Sequence, residues 1–182
     1  MSIADVRAAL KAFFVAGCAQ SAGSVPGVSA VYGAIPWFVA GSQWQLSDEF
    51  GSGAIVFLHI EDRGEKRLSD PAEGFTPDVV GCKQVDYQVD LVVLYQYMIP
   101  SASQADAVPE DAWIGPLDAT MQALKDLIHS DPTAGTGPQG VIFEMAQDDG
   151  DLKGSAPLPL RTPAKIWTWP VLQFSVTEVI FA

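Results

Sequence analysis

The chain has 182 residues, enough for one domain with a real core, and sets 10 basic against 22 acidic side chains for a net charge of −12. Phosphate and anionic lipid are held chiefly through Lys and Arg, so this balance excludes a surface that grips nucleic acid. No apolar run reaches the about 18 residues that a membrane-spanning helix needs.

Charged residues make up 18 % of the chain and apolar ones 48 %, against a usual charged share of about 25 %. Either some apolar surface meets other subunits, or one large core is wrapped in neutral polar loops. The two cysteines, Cys18 and Cys82, are too few for a disulfide framework. Each sits in an apolar or strand-like context, where Cys behaves as a small buried hydrophobe, and a reducing compartment is expected.

The first element spans "IADVRAALKAFFVAGC". Ile3, Val6, Leu10, Phe13, Phe14 and Gly17 recur at steps of three and four and line one helical face. Ser2 and Asp5 match the Ser-x-x-Asp capping signature. The string Val15-Ala16-Gly17-Cys18 resembles the lipobox of exported lipoproteins, in which Cys18 would be the lipidated residue. Export asks for an uninterrupted apolar core behind a positive start, whereas Asp5 precedes the first cation and Arg7 and Lys11 interrupt the run. A capped amphipathic helix is the better reading.

Residues 21–41 mix small residues, two prolines and short apolar pieces, which predicts a loop and one short strand over Val28–Tyr32, with Pro36 and Trp37 at a bend or exposed edge. Ala54 to Glu61 reads as a strand. Asp62-Arg63-Gly64 reads as a turn, with a return to Leu68, making a hairpin with a charged tip. The segment "KQVDYQVDLVVLYQYM" alternates most clearly. Val85, Tyr87, Val89, Leu91, Val93, Tyr95 and Tyr97 share one parity, and Gln84, Asp86, Gln88, Asp90 and Gln96 the other. Val92 and Leu94 interrupt that wetter face, so its second half should be covered by another element or another chain.

A second helix is expected with Pro116 in its first turn and Leu117, Met121, Leu124 and Ile128 on its buried face, ending before Asp131-Pro132. A strand over Val141–Gln147 and a Gly/Pro/acid loop follow. The closing segment from Lys165 carries Leu172, Phe174, Val176 and Ile180 on the parity of Glu178, a strand too apolar to hang free. The order predicts a single α+β domain over 1–182, a mostly antiparallel twisted sheet with two helices packed on one face. Loop insertions fall near 100–112 and 147–163.

Chemistry is sparse. "GTGPQG" at 135–140 has the letters of a dinucleotide fingerprint, but a helix precedes it and a strand follows, the reverse of the order that delivers a pyrophosphate to a helix start. Cys18, His59, Cys82 and His129 share no zinc-ligand spacing. "DDGD" at 148–151 lacks the spaced ligands of a calcium loop and reads as a solvated tip. There is no nucleophile elbow and no paired Cys and His, so neither catalysis nor a cofactor or metal is expected.

In order and pattern the chain resembles the tail terminator, or tail completion, proteins of long-tailed bacteriophages. The resemblance rests on the opening "IADVRAALKAFF" helix, the "VDYQVDLVVLYQY" strand, the "PLDATMQALKDLI" helix and the closing "WPVLQFSVTEVIFA". It implies a hexameric ring that caps the tail tube, ends its polymerisation and presents the surface for the head. Partners would be further copies of the chain, the tail-tube protein and the head-tail connector protein. Genomic DNA would pass through the channel without specific binding, no membrane would be involved, and the protein would reside in the virion tail after assembly in the bacterial cytoplasm. Glu61, Asp62, Arg63, Val92 and Leu94 are the candidate interface or channel residues. A tail-tube or neck protein of the same machine is the alternative, and an exported lipoprotein bearing its lipid on Cys18 is a further one.

Overall fold

A computed structural model describes residues 3–18, 25–35, 37–40, 43–46, 51–67, 83–100, 108–131, 133–135, 141–145, 152–155 and 158–180. In chain order the elements are α1 (Ile3–Cys18), β1 (Val28–Tyr32), β2 (Trp37–Ala40), β3 (Gln43–Leu46), β4 (Gly53–Arg67) and β5 (Lys83–Met98). They continue with α2 (Asp111–Ser130), β6 (Val141–Met145), β7 (Lys153–Ser155), β8 (Leu160–Arg161), β9 (Lys165–Thr168) and β10 (Val171–Ile180). The expectations for Ser2, for Cys82 and for the "DDGD" loop fall outside the described residues.

Eight strands form one sheet in the order β1-β4-β5-β10-β6, with β7, β8 and β9 attached beside this path. Among the described residues only β1 runs parallel to its neighbour, β4; the other pairings are antiparallel. Both helices lie on one face, as an α+β chain of this pattern should arrange them. The strand β5 is the spine. Its first part pairs β10 from Val171↔Val92 to Ile180↔Lys83, and its last part pairs β9 from Tyr95↔Thr168 to Met98↔Lys165. Between the two partners, Pro170 has no N–H to give, but its carbonyl accepts from the Val93 amide at 2.9 Å.

The alternation read in β5 is the alternation that builds the core. Val85, Tyr87, Val89, Leu91, Val93 and Tyr95 are all buried beneath the helices, joined by Leu172, Phe174 and Val176 of β10. Helix α1 contributes Val6, Leu10, Phe14 and Cys18, and α2 contributes Trp113, Leu117, Leu124 and Ile128. The Phe14 and Phe174 rings meet at 6.4 Å between centroids, which ties the first helix to the last strand. Gly17 brings the two helices close: a Cβ there would run into the Leu127 side chain.

Four expectations are corrected. The charged hairpin does not exist, because β4 runs unbroken through Asp62-Arg63-Gly64 and the three residues form a register shift against β5, between Asp62↔Tyr87 and Gly64↔Asp86. A glycine with positive φ serves a bulge as readily as a turn, and Gly64 at φ 147° serves the bulge. Helix α2 begins at Asp111, inside the loop expected at 100–112, so Pro116 lies within the helix instead of in its first turn. The loop expected at 147–163 contains β7 and β8, whose side chains are exposed and show no alternation to read. Finally, β2 and β3 form a separate antiparallel pair, from Trp37↔Leu46 to Ala40↔Gln43, where Pro36 and Trp37 had been expected at a bend or an exposed edge and no strand pair had been read.

Candidate functional site: a sheet face in two zones

On the sheet face turned away from the helices, β5 presents Gln84, Asp86, Gln88 and Asp90, then Val92 and Leu94. Its neighbours change character at the same level, since β4 sets His59 opposite Asp90 but Phe57 opposite Val92 and Ile55 opposite Leu94. On the other side β10 sets Gln173 opposite Asp90 and Val171 opposite Val92. One face thus divides into a polar half and an apolar half.

The polar half is a ladder of amides and carboxylates. Asp86 Oδ1 accepts from Gln84 Nε2 and from Thr177 Oγ1, both at 2.9 Å. Asp90 Oδ1 accepts from Gln173 Nε2 at 2.8 Å and from Gln88 Nε2 at 3.3 Å. Beside them the exposed pair of His59 Nε2 and Glu61 Oε1 is 3.2 Å apart. Neutral donors hold the two aspartates in place without cancelling their charge, so this half of the face stays acidic.

The apolar half is a groove of about 710 Å³. Phe57, Val92 and Leu94 form its floor, and Ile35, Leu160, Trp167 and Trp169 stand around it. Leu94 is 6 % exposed and belongs, with Ile55 and Phe57, to a second apolar cluster separate from the main core. The surrounding side chains are open to water: Ile35 is 55 %, Leu160 59 % and Trp169 38 % exposed. The Lys165 ammonium lies over the Trp167 ring, 4.3 Å from its centroid.

Of the residues singled out in the sequence, the structure brings Val92 and Leu94 together in the groove. It places Glu61 elsewhere, opposite Gln88 on the polar half, about 14 Å along the strand from Val92. Asp62 and Arg63 lie at the bulge, and their side chains lie outside what is described. Sequence reasoning missed Ile35, Phe57, Leu160, Trp167 and Trp169. The alternation Ile166-Trp167-Thr168-Trp169 held the signal: Ile166 and Thr168 are buried, so both tryptophans must face the other way.

Elsewhere, Tyr87 donates its hydroxyl to Glu178 Oε2 at 3.1 Å, which carries the fully buried carboxylate of β10 inside the main core. Burial pushes the Cys18 thiol up from 9.0 to about 11, so it is a thiol and not a nucleophilic thiolate at neutral pH. His129 sits in the last turn of α2. A smaller pocket of about 340 Å³, between the start of α2 and Tyr95 and Tyr97, is lined like the groove by no histidine, cysteine or carboxylate among the described residues. Among those residues no group of three or more His, Cys, Asp or Glu could hold a metal ion, and no helix is long and apolar enough to cross a membrane.

No known protein-family model matches the chain, and a search of curated proteins found no match.

Proposed function

We propose that the protein is a structural subunit of a long-tailed phage, a tail terminator that closes into a hexameric ring on the end of the tail tube. The observation that carries this reading is the groove on the helix-free face. A monomer leaves three large apolar side chains open around a floor of Phe57, Val92 and Leu94, a contiguous patch of the kind that marks association. A head-to-tail contact repeated around an axis covers such a patch in every copy and, if the rotation closes, ends as a ring instead of a fibre.

The charge pattern agrees with the same role. An acidic lining does not attract the phosphates of a duplex moving through the ring, and a chain with 22 acidic against 10 basic residues has the surplus to supply one. The role asks for no catalytic group and no cofactor. Its partners are the tail-tube protein below, the head-tail connector above and further copies of itself, in the virion.

Deleting the gene from the parent phage tests the assignment. Tails of uncontrolled length and filled heads without tails are expected, both restored by the gene supplied in trans. A deletion strain with tubes missing altogether would point to a tube subunit, and normal particles would refute a structural role.

A further inference from the structure

We infer that the Val92–Leu94 groove is the seat of helix α1 from a second copy of this chain. The inference rests on the ring reading and deepens it by naming both sides of the subunit contact. Among the described residues, the large apolar side chains left exposed include Ile35, Leu160 and Trp169 at the groove and Val15 on the outward side of α1. These two groups sit on opposite layers of the molecule, the free sheet face and the outside of the helix layer. A contact between unlike surfaces on opposite sides propagates head to tail, which is the kind a ring requires.

The outward side of α1 is suited to a groove. Opposite its buried stripe of Val6, Leu10 and Phe14 it exposes Ala4, Ala8, Ala12 and Val15, bordered by Lys11 on one side and Asp5 on the other, so little side-chain freedom is lost when the stripe docks.

Charge selects a second copy as the occupant and fixes its direction. Lys11, exposed at one edge of the alanine stripe, has no acidic partner among the described residues, while the polar half of the facing surface carries Asp86, Asp90 and Glu61. Lys11 lies one helical turn, about 6 Å, from Val15. Asp90 lies two strand residues, about 7 Å, from Val92. With Val15 seated over Val92, Lys11 therefore reaches the level of Asp90. Pairing two sheet faces about an axis along the strands would instead set Asp90 against Asp90, a like-charge contact that disfavours it.

The test uses cysteine pairs in the full chain, with the wild type run alongside to account for Cys18 and Cys82. Val15→Cys and Leu160→Cys chains are oxidised separately and mixed, at about 1 mM, where about a third of a contact of millimolar Kd is formed. A dimer band confined to the mixture is expected. Lys11→Glu in the Val15→Cys chain should reduce that band several-fold, and Asp90→Lys in its partner should restore it. A dimer formed by Leu160→Cys alone would show face-to-face pairing and overturn the inference, as would the absence of any new band in the mixture. The double variant then separates the two claims. Cross-linked species that stop at six support both, and an open-ended ladder keeps the α1 contact while refuting the ring. Six-membered rings lacking the Val15–Leu160 bond keep the ring and refute the contact.

Discussion

Replacing Gly53 by alanine should cost about 2–4 kcal/mol more stability than the same change at Gly64. Both residues hold positive φ, 137° and 147°, a backbone region that costs a residue with a Cβ about 1–3 kcal/mol. At Gly64 that strain is the whole cost, because nothing stands within 4 Å of the added carbon. At Gly53 the new Cβ would meet the Gly27 carbonyl oxygen at 2.8 Å. The obstacle is backbone, and it cannot rotate away. The same oxygen accepts the Ala54 amide at 2.8 Å, the bond that ties the chain before β1 to the start of β4. Displacing it adds overpacking of about 1–3 kcal/mol and weakens a hydrogen bond worth about 1 kcal/mol. The expected difference between the two variants is therefore about 2–4 kcal/mol, read as a shift of the urea midpoint at unchanged slope. Equal losses, or a larger loss at Gly64, would mean that the β1–β4 junction is not packed as described.

Three further outcomes are expected. Phe174→Ala, which removes a ring that is 1 % exposed and packed on Phe14, should lose about 3–5 kcal/mol in the same assay. Cys18 should react with a thiol reagent at pH 8 only as fast as the protein unfolds. Because its folded value is raised to about 11 while an unfolded thiol ionises near 9.0, its contribution to stability is intact below pH 9 and falls as pH rises from 9 toward 11, which alkaline denaturation will read. Tyr95, raised by burial and by Tyr97, adds to the same alkaline loss. Glu61→Lys should change thermal unfolding little, since Glu61 and its His59 partner are exposed, while impairing tail assembly or DNA passage in complementation.

The legible parts of the fold were those in which one side chain in two, or one in three to four, had to be apolar. The spacing in α1, the parity of β5 and the shared parity of Leu172, Phe174 and Val176 each translate directly into burial in the main core. The parity also pointed to the groove, because Val92 and Leu94 broke a polar face and those two residues floor it. What stayed hidden is structure built by backbone alone. The strands β7 and β8 bury no side-chain face, so no pattern betrays them. The bulge at Asp62-Arg63-Gly64 carries the residues of a turn, and only the register with β5 decides between the two. The groove walls come from segments far apart in the chain, Ile35, Leu160 and Trp169, and their meeting depends on β1 lying along β4 and on β9 lying against the end of β5. Alternation within one strand holds no information of that kind.

Cryo-electron microscopy of the parent particle, with reconstruction of the junction between head and tail, tests the central claim most directly. The account predicts one closed ring of six copies at the end of the tail tube, each with its helix-free sheet face covered by the next copy. Density for this chain repeated along the whole tube, or its absence from the particle, would contradict it.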